Sequence, residues 1–368
     1  MFIKNTEKEI ILEPLQIVIG IVERKQTLPI LSNVLIEKEP GKIRFTATDM
    51  EIQITTTVEI KNIEGEKEAI TVGGKKFQEI LRILPEKSLV SIEAKENKAQ
   101  IKANKSKFNL QILPAQDFPK LNYQSANTKK ITMRQKTLKN LLQSVQYAMA
   151  QQDVRYYLNG VLLIVEGTRL KAVATDGHRL AYNSTILESE HEKQEIILPR
   201  KAVVELCKLL QESEGTVEIE FSPQQAIIEF SGITMITKVI DGKFPDYERV
   251  IPNYTNHLNL NRTQVQQALQ RVAILSNEKI HGVRLVLTEK NLSVSSSNSE
   301  QEEAQEEIET NYHGEALDLG FNVNYLMDGL NNITSQEATF SFGDPNSSIL
   351  ITTTENQEYR YVVMPMRI

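Results

Sequence analysis

Asp176 and His178 stand together in the segment 175–180 (TDGHRL), and an acid beside an imidazole is a pairing that hydrolases use. No nucleophile motif accompanies the pair. An equivalent segment earlier in the chain has Asp49 followed by Met50, without a histidine. These two residues would lie at a strand end, where alternate side chains face one surface. A hydrolase is therefore one hypothesis, and a binding surface is the other.

Motifs for metals and nucleotides are missing from the sequence. The five histidines have no metal-binding spacing, and the single cysteine, Cys207, cannot build a Cys/His zinc site. Segment 73–76 (GGKK) is only a fragment of a phosphate loop, and neither G-x-S-x-G nor H-E-x-x-H occurs. We therefore expect no catalytic residue, no metal and no cofactor.

Composition indicates a globular protein of two or three domains. The chain has 368 residues, of which 40% are hydrophobic and 24% are charged, with a net charge of −6. The negative net charge argues against nucleic-acid binding through an overall positive charge. One cysteine fits a reducing compartment; no apolar run is long enough for a membrane helix, and the start of the sequence lacks a secretory layout. A soluble, cytoplasmic protein is expected.

A threefold internal repeat positions these residues. Val34 matches Val161 and Asp49 matches Asp176, both at an offset of 127 (161 − 34 and 176 − 49). A third copy contains Val283, at an offset of 122 from the second (283 − 161). Each copy follows a segment of helical periodicity and precedes a second such segment and alternating strands. The pattern predicts three α+β domains, at 1–126, 129–252 and 254–368.

Charge distribution suggests how the copies associate. Lysines surround Phe108 on predicted strands of the first domain, whereas six glutamates lie within 300–309 of the third domain. Opposite charges at the two ends are suited to a head-to-tail contact, which can close into a ring. Two solvated faces are the alternative explanation.

Seven segments resemble the bacterial sliding-clamp family, the β subunits of DNA polymerase III. They are 27–31 (TLPIL), 152–160 (QDVRYYLNG), 174–181 (ATDGHRLA), 244–247 (FPDY), 273–279 (AILSNEK), 300–304 (EQEEA) and 361–367 (YVVMPMR). The resemblance implies three tandem DNA-clamp domains, each with two helices packed on antiparallel sheets, in a head-to-tail homodimeric ring. Such a ring would encircle duplex DNA without reading its sequence and confer processivity. It would tether DNA polymerases and other proteins that carry short hydrophobic motifs, after a clamp loader places it. The alternative is a peptide-binding repeat scaffold that does not encircle DNA.

The resemblance also implies site residues. The DNA-contacting set is Arg24, Lys25, Lys75, Gln152, Tyr156, Tyr157, Arg200 and Lys201. The partner-peptide pocket comprises Leu158, Thr175, Gly177, His178, Arg179, Leu180, Pro245, Arg249, Val250, Asn322, Tyr325, Ser348, Val362, Val363, Met364, Pro365, Met366 and Arg367. The dimer interface comprises Lys98, Lys105, Lys107, Phe108, Leu110, Ile274, Leu275, Glu300, Glu302 and Glu303. Ile368 and Asn346 depart from the family pattern, and we expect them to retune the pocket.

Overall fold

The computed structural model describes residues 2–23, 28–60, 66–122 and 130–368. The first third contains β1 (Ile3–Glu7), α1 (Lys8–Val18), β2 (Asn33–Glu39), β3 (Lys42–Thr48), β4 (Ile52–Glu59), β5 (Glu68–Gly73), α2 (Gly74–Ile83), β6 (Leu89–Lys95), β7 (Lys98–Ala103) and β8 (Ser106–Leu113). The central third contains β9 (Ile131–Arg134), α3 (Gln135–Gln146), β10 (Gly160–Thr175), β11 (Arg179–Pro199), α4 (Arg200–Leu209), β12 (Thr216–Phe221), β13 (Gln225–Phe230) and β14 (Ile233–Lys238). The last third contains β15 (Asn256–Asn261), α5 (Arg262–Ala273), β16 (Gly282–Thr288), β17 (Asn291–Ser297), β18 (Glu303–Glu309), β19 (Leu317–Asn322), α6 (Val323–Asn331), β20 (Glu337–Phe342), β21 (Ile349–Thr352) and β22 (Arg360–Val363).

Each third repeats one order of elements: a strand, a helix, a β segment, a second helix and three strands. In the first and last thirds the β segment is four strands. In the central third it is the two long strands β10 and β11, whose register shifts on both sides of Gly167. The α+β class and the threefold repeat are thus confirmed.

Helical periodicity placed the helices well because the apolar face of each one is buried. Phe77 and Leu81 of α2 are fully buried, and Cys207 lies on the buried face of α4. The apolar periodicity of the first helix continues to Val22, but α1 ends at Val18 and a 3₁₀ turn covers Ile19–Ile21. Gly20 and the β-branched residues around it have low helical propensity, which explains the early end.

A shared turn explains why the repeat landmarks Asp49 and Asp176 match. The Asp49 carboxylate accepts hydrogen bonds from the amides of Glu51 and Ile52, at 3.0 and 2.8 Å. Asp176 accepts from the amides two and three positions later, at 2.9 and 3.1 Å. Both aspartates therefore shape the turn that joins two antiparallel strands.

Contacts divide the chain into two compact units, Met1–Leu138 with Val204–Val239, and Lys139–Val203 with Ile240–Ile368. The first unit holds one 12-stranded sheet, in the order β1-β6-β7-β8-β5-β2-β3-β4-β14-β13-β12-β9. The second holds a six-stranded sheet, β10-β11-β22-β21-β20-β15, and a four-stranded sheet, β18-β17-β16-β19. All of these pairings are antiparallel. Within the described residues, no helix is long and apolar enough to cross a membrane.

The units differ from the three repeats because strands pair across repeat boundaries. In the first unit β4 of the first repeat pairs with β14 of the second, from Ile52↔Thr237 to Thr56↔Ile233. In the second unit the start of β11 pairs with β22 of the third repeat, from Arg179↔Val363 to Tyr182↔Arg360. Successive repeats are therefore joined by continuous sheet as well as by the chain.

Candidate functional site

A cavity of about 200 Å³ lies in the second unit, beside the turn between β10 and β11. Nine residues predicted for the peptide pocket line it: Leu158, Thr175, Gly177, Arg179, Leu180, Pro245, Val250, Val362 and Met364. Its floor is continuous with a buried apolar cluster that includes Leu162, Phe244 and Leu350. An open apolar cavity of this size suits two or three side chains of a peptide.

The β10–β11 turn forms one wall, and its backbone is fixed from within. Thr175 Oγ1 donates to the Arg179 carbonyl at 2.6 Å, and the Gly177 amide donates to Thr175 Oγ1 at 3.1 Å. Gly177 has a φ of +90°, a conformation that side chains disfavour. A Cβ there would also lie 3.2 Å from the Arg155 guanidinium. The turn is therefore rigid before any ligand arrives.

Arg179 ties this wall to two other elements. Its Nε donates to Asp176 Oδ2 at 3.1 Å, Nη2 donates to the Tyr147 carbonyl at 2.8 Å, and Nη1 pairs with Asp328 on α6. Burial acts to lower the pKa of Arg179, but Tyr361, Asp328 and Asp176 together raise the pKa above its ordinary value. The guanidinium is thus a permanently charged structural link.

Sequence reasoning missed two residues that line the cavity, Arg155 and Tyr247. Arg155 donates from Nε and Nη2 to the Asp153 carboxylate, at 3.1 and 2.9 Å, and these bonds hold the pKa of Asp153 at about 2. Burial raises the pKa of the Tyr247 phenol, which stays neutral. Both residues lie inside the matched segments 152–160 and 244–247, so a stricter residue-by-residue comparison had the signal to find them.

Several predicted pocket residues lie around the cavity without lining it. The His178 ring stacks on Tyr325, with centroids 6.3 Å apart. The Asn322 side chain accepts from the amides of Asn324 and Tyr325 and so caps α6. Val363 is buried in β22.

The rim and the end of the chain hold the remaining members of the predicted set. The Ser348 carbonyl accepts from the Tyr254 hydroxyl at 2.8 Å, and Arg249 lies exposed beside Asp246. Pro365, Met366 and Arg367 follow the end of β22. All these roles stay predictions.

The residues predicted to contact DNA fall into separate groups. Arg24 and Lys25 lie outside the described residues. Lys75 is in the first turn of α2, and Lys201 is in the equivalent turn of α4. The Arg200 side chain donates to the Met149 carbonyl at 3.2 Å, and burial lowers its pKa.

An exposed loop carries the other members of that set. Gln152 is exposed with a φ of +55°, and Tyr156 is 59% exposed. Tyr157 lies edge-on to Tyr156, with centroids 6.0 Å apart. Tyr157 also lines the peptide cavity, so it belongs to both predicted sets.

Two open sheet edges carry the residues predicted for the dimer interface. Residues 106–111 of β8, with Lys107, Phe108 and Leu110, pair with β7 on one side only. β18, with Glu303, ends the four-stranded sheet. Over the described ranges neither of these edges has a strand partner.

The apolar and acidic parts of the second edge form one surface. Arg271 near the end of α5 forms a bidentate ion pair with Glu306 of β18, at 2.7 and 2.9 Å. The helix therefore ends against the edge strand. Ile274, which follows the helix, is 78% exposed, and Leu275 is half-buried. A large exposed isoleucine beside an open strand is typical of a protein interface.

The contacts of Asp176 indicate a structural role in the turn, not a catalytic one. Its two carboxylate oxygens bind the His178 and Arg179 amides and the Arg179 guanidinium. Within the described part of the chain no group of three or more His, Cys, Asp or Glu side chains could hold a metal.

Comparison with known proteins assigns the fold and the site to a class. Three consecutive segments match the DNA polymerase III beta subunit: its N-terminal domain (residues 2–122), its central domain (132–246) and its C-terminal domain (248–367). Three clamp domains of this kind define a sliding clamp. The chain belongs to the DNA polymerase III beta subunit family.

Relatives match over nearly the whole chain. The beta sliding clamp of Pseudomonas aeruginosa is 43% identical, covering 98% of this chain and 99% of that protein. The beta sliding clamp of Escherichia coli K12 is 38% identical, covering 99% of both. The crystal structure of the Pseudomonas aeruginosa clamp bound to griselimycin has a TM-score of 0.94 at 42% identity, covering 99% of this chain and 98% of that one.

Proposed function

We propose that two copies of the chain form a head-to-tail ring that encircles duplex DNA and confers processivity on a DNA polymerase. A ring that slides needs sparse, exchangeable phosphate contacts, and the topological link provides its persistence. The acidic net charge of the chain is compatible with this mechanism, because only the bore has to be basic. The proposed domain limits are 1–126, 129–252 and 254–368, and the proposed location is the bacterial cytoplasm.

One observation carries the proposal: a single pairing rule joins successive repeats. The third strand of the β segment between the two helices of one repeat pairs with the last strand of the next repeat, as β4 does with β14 and the start of β11 with β22. Under this rule two strands have no such partner within the chain: β18, the third strand of the β segment in the last repeat, and β8, the last strand of the first repeat. Among the described residues, positions 106–111 of β8 and the whole of β18 each have one side without a strand partner. Pairing β18 of one copy with β8 of another extends the rule and gives a head-to-tail contact.

Chemistry on the two leftover edges supports this pairing. Exposed Lys98, Lys105 and Lys107 surround the first edge, and exposed Glu300, Glu302 and Glu303 surround the second. Apolar side chains would supply most of the association free energy, because exposed ion pairs each contribute only about 0–1 kcal/mol. The charges would fix the register of the pairing, and repulsion between like charges would prevent two copies of the same edge from pairing.

DNA contact is proposed for Arg24, Lys25, Lys75, Gln152, Tyr156, Tyr157, Arg200 and Lys201. Lys75 and Lys201 occupy equivalent helix starts in two repeats, where backbone amides also favour phosphate. The Arg200 guanidinium already binds a carbonyl, which reduces what it can offer to a phosphate.

The apolar cavity is proposed as the docking site for short hydrophobic motifs of polymerases, of a clamp loader and of other DNA-processing proteins. Its apolar lining, which includes the unbranched side chain of Met364, suits different partners, and the rim arginines can bind a peptide carbonyl. We propose no catalytic step at Asp176, since its carboxylate is engaged in the turn.

Plasmid retention tests the proposal. The protein is loaded on nicked circular DNA with a cognate clamp loader and ATP, and the DNA is then either kept circular or linearised. Stable retention on circles with rapid loss from linear DNA is the expected result. Equal retention on both would indicate contact binding and favour the non-encircling scaffold. A hydrolytic activity that His178→Ala abolishes would favour an enzyme.

A further inference from the structure

The last residues of the chain leave β22 and lie against the open side of β19. The Met364 amide donates to the His178 carbonyl at 2.8 Å, and the Met366 amide donates to the Gly320 carbonyl at 2.8 Å. Pro365 between them has no amide hydrogen to donate. Two alternate amides thus fix the backbone that carries Met364 into the cavity wall.

Gly320 is needed at its position because the tail passes through the space of a side chain. A Cβ on Gly320 would lie 2.4 Å from the Met366 carbonyl oxygen and 3.0 Å from the Ile368 side chain. The first of these neighbours is backbone, which cannot rotate away as a side chain can. Gly320 does not adopt a positive φ, so close approach, and not backbone conformation, requires glycine here.

A second glycine completes a slot for the chain's last side chain. In the β16–β19 ladder Gly282 lies opposite Asn322, and Arg284 lies opposite Gly320, so the two glycines are diagonal neighbours on one face. A Cβ on Gly282 would lie 3.3 to 3.5 Å from three carbons of Ile368. The Ile368 side chain therefore lies over both glycines.

We propose that Gly320 and Gly282 are positioning residues that seat the C-terminal tail and thereby hold Met364 in the wall of the peptide cavity. The inference rests on the proposed peptide binding. The contact of the C-terminal tail with the two glycines, which we call the seat, can be measured without a peptide. It also gives Ile368 a role: the side chain anchors the tail from outside the cavity. The alternative is that the two glycines only lack side chains on this face of the sheet and do not position the tail.

Gly320→Ala is the decisive variant. The probe is a fluorescein-labelled hexapeptide that ends in leucine and phenylalanine, titrated by fluorescence anisotropy. Because the variant displaces the tail and breaks one backbone hydrogen bond, we expect a loss of affinity of about tenfold. Melting temperature and dimer mass should stay unchanged. Gly73→Ala is the matched control, because a Cβ there meets only Asn33 Oδ1, at 3.9 Å.

Amide hydrogen exchange separates this inference from the proposed function. The seat predicts faster exchange at Met366 in Gly320→Ala than in the wild type, whether or not a peptide binds. Unchanged exchange would overturn the inference, and so would wild-type peptide affinity in the variant. If the wild type does not bind the peptide while exchange at Met366 responds as predicted, the result supports the seat and contradicts the proposed peptide binding.

A double-mutant cycle keeps the test valid if Gly320→Ala does not fold. Gly282→Ala introduces a mild overlap with Ile368, which Ile368→Ala removes. We expect each single variant to bind the peptide more weakly, and the double variant to bind no more weakly than Ile368→Ala alone. Strictly additive losses would contradict the seat.

Discussion

The guanidinium carbon of Arg179 lies 4.5 Å from the ring centroid of Tyr325. This contact joins the first residue of β11 to helix α6 and adds to the ion pairs that Arg179 forms with Asp176 and Asp328. One side chain therefore connects the turn that lines the peptide cavity to the last repeat.

Removal of that link should destabilise the protein. Arg179 is only 10% exposed, so Arg179→Met leaves Asp176 and Asp328 without their cation. We expect the free energy of unfolding to fall by about 3 kcal/mol in urea titrations followed by circular dichroism. Arg169→Met, which breaks an exposed pair with Glu358, is the control and should cost at most about 1 kcal/mol. Equal losses in the two variants would contradict this role.

The Asp153–Arg155 pair should respond to acid at low pH only. Hydrogen bonds from Arg155 hold the pKa of Asp153 at about 2, below its ordinary 3.8. Because the folded pKa is depressed, the pair stabilises the fold above about pH 4, and this contribution is lost as the pH falls from 4 towards 2. The difference in unfolding free energy between the wild type and Asp153→Asn should be constant from pH 8 to 5 and shrink below 4. If the difference in unfolding free energy between the two proteins is already lost at pH 5, the pKa of Asp153 is not lowered.

Buried tyrosines should make the protein sensitive to alkali. Burial raises the pKa values of Tyr147, Tyr359 and Tyr361 above their ordinary 10.0, and the hydroxyls of Tyr147 and Tyr359 lie 2.6 Å apart. Their contribution to stability is complete below pH 10 and is lost as the pH rises above it, by up to about 1.4 kcal/mol per unit for each tyrosine.

Tyrosinate absorbance shows at which pH the tyrosines ionise, without interference from tryptophan, which the chain lacks, and urea titrations at each pH measure the free energy of unfolding. Tyr147→Phe removes one ionising group and is predicted to flatten the dependence on pH. Titration of all eleven tyrosines near pH 10 in the folded protein would contradict the burial argument.

Dimerisation should depend on the apolar residues after α5. We expect the Ile274→Ala, Leu275→Ala double variant to sediment as a monomer at concentrations where the wild type is a dimer. Ile186→Ala is the matched control, since Ile186 is similarly exposed, at 72%, and belongs to β11, not to β8, β18 or the end of α5. If the double variant is still a dimer, the interface does not depend on these two residues.

Deletion of residues 364–368 should abolish peptide binding and leave the dimer intact. The deletion removes Met364 from the cavity wall but spares β22, which ends at Val363. Anisotropy titration and sedimentation measure the two effects separately. Retained affinity in the truncated chain would contradict the pocket assignment.

Local patterns predicted the fold, whereas contacts between distant segments escaped them. The repeat offset of Asp49 and Asp176 reflects one turn built from neighbouring residues, so the sequence alone contains it. Phe77 and Leu81 likewise marked the buried face of a helix. The Gly320–Met366 bond joins residues that no periodicity relates. Long-range packing also places Arg155 at the cavity, so comparison of segment 152–160 with the family could have found it but no local pattern could.

The continuous sheet between repeats makes the junctions of the proposed ring unequal. Where β4 pairs with β14, and β11 with β22, the partner strands belong to one chain, so their effective concentration is fixed and does not change on dilution. The β8–β18 junction would be bimolecular and would obey mass action. Lowering the protein concentration, or engaging one copy alone, would therefore separate that junction while leaving the others paired.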